Sequence, residues 1–71
     1  MTLSQFEQIK KNFGRYCDTF VSFTKINRHN GKRENFSGLL KDYMDEGSMK
    51  NYLVIGQCGH NVAIHYSDVK L

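Results

Sequence analysis

Residues 35–44 read Asn-Phe-Ser-Gly-Leu-Leu-Lys-Asp-Tyr-Met, and this stretch decides the fold. Its apolar and aromatic residues predict a long strand, and an isolated glycine inside a strand pattern is typical of a bulge or a sharp curve. We therefore expect a strand that bends at Gly38. Such a bend lets one strand pair with the strand that precedes it and with the strand that follows it.

The chain as a whole has the size of one small domain. It has 71 residues, of which 39% are hydrophobic and 13% aromatic, which is enough for a small β-rich core. The formal charge of +3 permits contact with nucleic acid without requiring it. The polar, amphipathic N-terminus predicts no signal peptide, and no apolar run is long enough for a membrane span. We therefore expect a cytoplasmic protein in which Cys17 and Cys58 are reduced.

Residues 2–13 predict a helix. Thr2 is a typical N-cap, and Gln5 three residues later can complete a capping box. Apolar residues recur at helical spacing and would form one stripe: Leu3, Phe6, Ile9 and Phe13. Gly14 occupies the position at which a helix commonly ends in the left-handed conformation. The following sheet is the expected partner of the apolar stripe.

Residues 18–27 predict the first strand, because they are rich in β-branched and aromatic side chains. The apolar side chains fall on both faces, with Val21 and Phe23 on one and Phe20 and Ile26 on the other. We therefore expect a strand that is covered on both sides. The dipeptide Asn30-Gly31 follows, and both residue types accept the positive φ of a two-residue type I′ turn. This pattern predicts a tight hairpin.

The remaining residues predict three further strands, at 51–57, 61–67 and 69–71, with polar turns at 45–48 and 58–61 and a short helical turn at 66–68. The predicted fold class is therefore mainly β (α+β). It is a single domain over residues 1–71, with the helix at 2–13 and the strands within 18–71.

Four short motifs carry a resemblance to a known family. They are Asn30-Gly31 in the first turn, Phe-Ser-Gly-Leu-Leu at 36–40, Asp-Tyr-Met-Asp at 42–45, and Val-Ala-Ile at 62–64 followed by Asp-Val-Lys-Leu at 68–71. The pattern resembles the Sm/Lsm/Hfq family of small barrels. The resemblance implies a short N-terminal helix, a five-stranded, strongly bent antiparallel barrel, RNA binding and assembly into rings.

The chain also departs from that family. Gly38 and Met44 lie closer together than in a full-length Sm motif. The sequence His65-Tyr66-Ser67 stands where Hfq has Tyr-Lys-His, so the family's uridine-pocket residues are not carried over. An SH3-like or Tudor-like five-stranded barrel has a comparable pattern and stays open as an alternative.

The first hairpin holds the densest positive cluster, with four formal charges within nine residues. The candidate binding residues there are Lys25, Arg28, His29, Asn30, Lys32 and Arg33. A basic loop beside exposed aromatic rings is a common site for single-stranded nucleic acid, since phosphates contact the charges and bases stack on the rings. The alternative is a solvated turn that keeps sheet edges from associating.

Two further groups of residues are candidates for the same surface. Lys10 and Lys11 in the helix would extend the basic cluster if they shared its face. Three tyrosines, Tyr43, Tyr52 and Tyr66, are candidate stacking platforms, of which we assign Tyr66 to the site. Each tyrosine could equally lie at the rim of the core with its hydroxyl group in water.

The sequence does not favour a metal site or an enzyme. Cys58 and His60 form only one half of the paired-ligand spacing that is typical of structural zinc. Cys58, His60 and Asp68 have the residue types of a nucleophilic triad, but no motif supports one. The glycines are separated and form no phosphate-binding loop. We therefore expect no metal, no cofactor and no catalytic activity.

Two functions follow from these patterns. The first is a small nucleic-acid-binding Sm-like domain, with RNA favoured, that forms a homo-oligomer through open strand edges at residues 52–55 or 62–64. The second is a small protein-interaction or inhibitor module, of the kind that mobile elements encode, which docks on a protein partner.

Overall fold

A single antiparallel sheet of five strands makes up most of the molecule. The computed structural model describes all residues 1–71. Two helices, α1 (Leu3–Lys11) and α2 (Phe13–Tyr16), precede the strands β1 (Phe20–Ile26), β2 (Arg33–Met44), β3 (Tyr52–Gln57), β4 (His60–His65) and β5 (Val69–Lys70). Single 3₁₀ turns at Gly47–Met49 and Tyr66–Asp68 connect β2 to β3 and β4 to β5. The predicted fold class is confirmed. Neither helix combines the length and the apolar character that a membrane span requires.

The strand order is β4-β3-β2-β1-β5, so β4 and β5 are the two edges of the sheet. The sheet does not close between these edges, but it is strongly curled. Side chains of β1, β4 and β5 share one core, although β1 and β4 are three strands apart. Because neighbouring strands are about 4.8 Å apart, a flat sheet would hold those side chains well out of contact.

The long strand β2 belongs to two hairpins. Its first part pairs with β1 and its second part pairs with β3, and Leu39 is paired on both sides, with Phe20 and with Gly56. The register slips between Leu40 and Asp42, so the irregularity lies at Lys41. The sequence placed this irregularity at Gly38, three residues too early.

Gly38 has a different role from the predicted one. A Cβ atom at this position would lie against the carbonyl oxygen of Gly56 and only 2.8 Å from Cγ2 of Ile55. Glycine is therefore required because β3 approaches β2 closely here. The pairing of β1 with β2 continues regularly through Gly38, which lies opposite Val21.

The first helix begins as predicted and ends earlier. The capping box is present, with Thr2 N donating to Gln5 Oε1 (2.9 Å) and Gln5 N donating to Thr2 Oγ1 (3.2 Å). Asn12 then leaves helical geometry (φ −124°, ψ 39°), and its side chain donates to the Gln8 carbonyl oxygen. Asparagine competes for such backbone bonds and interrupts helices. The prediction of one helix over residues 2–13 is therefore wrong.

Gly14 does not end the helical segment, because it lies inside α2 and its φ is not positive. The left-handed residue that turns the chain toward β1 is Asp18 (φ 64°). Its backbone N–H donates to the Leu40 carbonyl oxygen (2.7 Å), and its carboxylate receives Lys41 Nζ (2.6 Å). The chain reversal is thus anchored on the irregular part of β2.

The core lies on the inner, concave face of the sheet, where α1 covers one end. Its buried side chains are Phe6, Ile9, Val21, Phe23, Leu40, Leu53, Ile55, Ile64 and Val69. On the outer face of β1, Phe20 is 74% exposed and Ile26 is 57% exposed. The expectation that β1 is covered on both faces is therefore wrong, because the helix packs on the same face as the rest of the core.

Candidate nucleic-acid interface

The loop between β1 and β2 is wider than the sequence indicated. Ile26 pairs with Arg33, so six residues, 27–32, connect the strands. In this loop Gly31 has a positive φ (68°), but Asn30 does not. The prediction of a two-residue type I′ turn at Asn30-Gly31 is therefore wrong, although the hairpin itself forms.

Asparagine side chains hold this wide loop in shape. Asn27 Oδ1 accepts from the backbone N–H of His29 (2.8 Å), and Asn30 Oδ1 accepts from that of Lys32 (2.9 Å). The amide groups of both asparagines donate to one oxygen of Glu34, at 2.7 and 2.9 Å. The asparagine side chains therefore provide acceptors for backbone N–H groups of the loop that have no partner in the strand ladder.

The hairpin cations fall into two groups. Arg33 is neutralised, since its guanidinium donates to Asp68 Oδ1 (2.8 Å) and to Thr24 Oγ1 (3.0 Å). Arg28 and Lys32 are exposed and form no ion pair. Lys25 forms none either, and its Nζ lies 5.3 Å from the centre of the Phe36 ring. The charge that is available to a ligand is therefore that of Lys25, Arg28 and Lys32.

Part of this cluster lines a groove of about 760 Å³ at the end of the molecule away from α1. The first hairpin forms one wall, and β4 forms the other. The lining includes Lys25, Arg28, His29, Phe36, His60 and Val62, with the buried Ile64 beneath them. The groove therefore combines an apolar floor with two basic side chains on the hairpin wall and one imidazole on each wall.

No acidic side chain lines the groove. Glu34 lies directly opposite Lys25 in the strand pairing and keeps its negative charge, but its carboxylate faces the amides of Asn27 and Asn30 and lies outside the lining. The groove is accordingly suited to an anionic ligand rather than a cationic one.

The second wall starts at a tight turn. Cys58 and Gly59 connect β3 to β4, with Gln57 paired to His60. Their φ values, 50° and 82°, are both left-handed, which is the arrangement of a type I′ turn. This turn places His60 at the mouth of the groove. No group of three or more His, Cys, Asp or Glu side chains is arranged to hold a metal ion.

The helix lysines do not join the groove. Lys10 is paired with Glu7 (3.3 Å) and with Asp45 (2.9 Å), and Asp45 directly follows the far end of β2. The hydrogen bond to Asp45 is the main reason why the pKa of Lys10 is raised. Lys11 is next to it at the end of α1 and is exposed. These residues therefore lie at the opposite end of the twelve-residue strand from the basic loop.

The candidate tyrosines are also elsewhere. Tyr66 stacks on Phe6 (5.2 Å between ring centres, 12° between planes) and contacts His65. Tyr66 does not line the groove. Asn30 does not line it either, since its side chain holds the loop. Lys32 lies in the same exposed loop, outside the lining.

Sequence reasoning missed Phe36, His60 and Val62 as groove residues. Alternation along β2 and β4 places Phe36 and Val62 on the inner face, which is the signal that was available. However, inner-face residues are expected in the core. Only the curled sheet, which brings β4 to the first hairpin, shows that the core ends before it covers them.

No family model, no curated protein and no solved structure matches this chain. The resemblance to Sm-like barrels therefore stays a prediction.

Proposed function

We propose that this protein binds nucleic acid, with RNA favoured, in the groove between the β1–β2 hairpin and β4. The observation that carries the proposal is the convergence of Lys25, Arg28, His29 and His60 around an apolar floor that no acidic residue lines. Phosphate groups supply the anionic partner, and their contacts with Lys and Arg release counterions.

The order of elements supports an Sm-like barrel and with it RNA as the ligand. A helical segment, four strands and a two-residue fifth strand follow one another, and the second strand is the longest. This is the order that the resemblance implies. The exposed, unbridged thiols of Cys17 and Cys58 support a cytoplasmic location.

The test is a titration with a short single-stranded RNA at about 50 mM and about 200 mM salt. We expect the affinity to fall steeply with salt. The double variant Lys25→Gln, Arg28→Gln should weaken binding and lower the logarithmic salt slope by about 0.7 for each phosphate that the variant no longer neutralises. Affinity that is indifferent to salt would contradict the proposal.

The matched control is the double variant Arg15→Gln, Lys50→Gln. It removes the same two charge types from exposed positions away from the groove. We expect this control to retain most of the affinity and the full slope. If both double variants weakened binding equally, the ligand would respond to net charge and not to the groove.

We also propose a homo-oligomer that forms through the free edges of β4 and β5. Residues 62–64 lie in β4 and are available for pairing, whereas residues 52–55 lie in β3, which is paired on both sides. The expectation of an open edge at residues 52–55 is therefore wrong. Light scattering over a range of protein concentrations tests the proposal. A strict monomer would exclude the oligomer and leave the groove proposal standing.

One observation favours the second candidate function, a module that docks on a protein partner. Phe20 is 74% exposed and pairs on the outer face with Leu39. Capture of partners from a cell extract, with and without nuclease, separates the two functions. A stoichiometric partner that survives nuclease and no longer binds Phe20→Ser would support docking, whereas a partner that nuclease releases would support the groove.

A further inference from the structure

We infer that the groove takes an unpaired base of a single-stranded nucleic acid, which stacks on Phe36 while Lys25 moves from the ring to a phosphate. The inference rests on the proposed function and adds the ligand class and the stacking residue. The sequence pattern pointed to three tyrosines for this role and not to Phe36.

The Phe36 ring stacks on a core ring and has a flexible lysine side chain over it. Its ring stacks on the buried Phe23, with 5.8 Å between centres and 26° between planes. The ammonium group of Lys25 lies 5.3 Å from the ring centre, and both residues line the groove. A lysine side chain has many rotamers, so its ammonium group can leave the neutral ring at small cost when a phosphate group binds nearby.

The chemistry of the groove suits a base with its phosphate. Base stacking on an aromatic ring tolerates any sequence, because every base has a π-face. The displaced Lys25 and the neighbouring Arg28 then meet the phosphate through charge-assisted hydrogen bonds. The groove, with a volume of about 760 Å³, is open to solvent, so a chain of nucleotides can enter and leave it along its length.

The position of the ring selects single strands. In a duplex the bases stack on one another and present only their edges, so they cannot reach a ring on the floor of a groove. None of the three candidate tyrosines lines the groove. They contact rings elsewhere: Tyr43 contacts Phe13 at 5.3 Å, Tyr52 contacts His65 at 5.4 Å and Tyr66 stacks on Phe6 at 5.2 Å.

The experiment exploits the absence of tryptophan from the chain. The variant Phe36→Trp keeps an aromatic ring at the site and gives a single fluorescent reporter. We expect a single-stranded oligouridylate to quench it. An abasic oligonucleotide with the same number of phosphates should bind, as anisotropy of its label will show, without quenching. Tyr52→Trp, whose ring is on the outer face, should not respond to either polymer.

A second variant measures the contribution of the ring to affinity. Phe36→Leu keeps an apolar side chain on the floor and removes the π-face. We expect it to weaken binding of the oligouridylate by about tenfold or more, and to leave binding of the abasic polymer unchanged. Thermal unfolding of each variant checks that the fold is retained, and the quenching result stands independently if Phe36→Leu proves unstable.

The outcomes distinguish base stacking on Phe36 from nucleic-acid binding in the groove as such. If Phe36→Trp is not quenched, or if Phe36→Leu weakens both polymers alike, stacking is excluded while weaker binding by Lys25→Gln, Arg28→Gln still supports the groove. If a duplex binds as well as the single strand, the selection of unpaired bases is excluded. If neither polymer binds at low salt, both proposals are wrong.

Discussion

The β1–β2 hairpin and the β3–β4 hairpin reverse the expectation that their sequences raise. The first contains Asn-Gly, the dipeptide most typical of a tight turn, and yet it forms a six-residue loop. The second contains Cys-Gly, a weaker signal, and it forms the two-residue type I′ turn. Turn residues alone therefore do not decide the turn.

The register of the strands explains the first hairpin. A two-residue turn at Asn30-Gly31 would pair His29 with Lys32 and slide the strands by two positions. Gly38 would then lie opposite Phe23 instead of Val21, and the stack of Phe23 on Phe36 would be separated. Packing of the inner face holds the observed register, and the loop takes up the residues that remain.

The largest expected effect tests the close approach of β3 to β2, the strand that pairs with both β1 and β3. Gly38→Val should destabilise the fold by about 3 kcal/mol or more, because its side chain meets the backbone of Gly56, which cannot move away. Gly14→Ala is the control, since nothing lies within 4 Å of that position and it is helical. The control should be neutral or stabilising by up to about 1 kcal/mol. Urea unfolding measures both, and a Gly38→Val midpoint like that of the parent would contradict the close approach.

The next effect tests what shapes the wide loop. Glu34→Ala removes the acceptor of both asparagine amides and should cost about 1–2 kcal/mol. Glu34→Gln keeps an acceptor oxygen and should destabilise the fold less. Hydrogen exchange of the His29 and Lys32 amides, measured by NMR, should accelerate in the alanine variant. Unchanged exchange would mean that the loop holds its shape without Glu34.

A smaller effect tests the tight turn. Cys58→Asn should stabilise the protein by about 0.5–1 kcal/mol, because asparagine adopts the left-handed conformation more readily than cysteine does. Cys17→Asn is the control, since the φ of Cys17 is −58° and offers no such gain. The shift in urea midpoint decides the matter. A loss of stability in Cys58→Asn would show that the thiol has a role in the turn.

The smallest effect concerns the ion pair between Asp18, which precedes β1, and Lys41 of β2. Lys41 extends from Asp18 across Gly56 of β3. Its hydrogen bond and its charge hold the pKa of Asp18 below the ordinary value of 3.8. The pair therefore contributes stability above about pH 3.8, and this contribution is lost as the pH falls through the lower pKa of the folded state.

The variant Asp18→Asn checks this pH dependence. Asparagine tolerates the left-handed backbone of position 18, so the change removes the charge alone. We expect a slight loss of stability near neutral pH that disappears in strongly acidic solution. A difference that stays constant with pH would show that the ion pair is not its cause.

Much of the fold could be predicted because its signals are local. The capping box at Thr2 and Gln5, the strand compositions and the short final strand depend on neighbours in sequence. The break in the helix at Asn12 could not be predicted, because a single asparagine is compatible both with a continuous helix and with an interrupted one. The bulge at Lys41 depends on how β3 pairs with β2, which no local pattern records.

The site was predictable only in part. Lys25, Arg28 and His29 were identified from charge density. The ion pairs of Arg33 with Asp68 and of Lys10 with Asp45 were not identified, since the partners of each pair are 35 residues apart in the sequence. Phe36 and His60 become neighbours of the basic loop only when the sheet curls.

The double pairing of Leu39 has a consequence for the width of the groove. The hairpin wall includes the part of β2 before Leu39. The β4 wall is connected to the part of β2 after Leu39, because β4 pairs with β3 and β3 pairs with that part. Leu39 is thus the pivot between two arms, and the separation of their tips depends on the backbone angle there. A small change beside Leu39 would be multiplied along both arms. A change in groove width would alter the preference for ligands of different width while every lining residue stays the same.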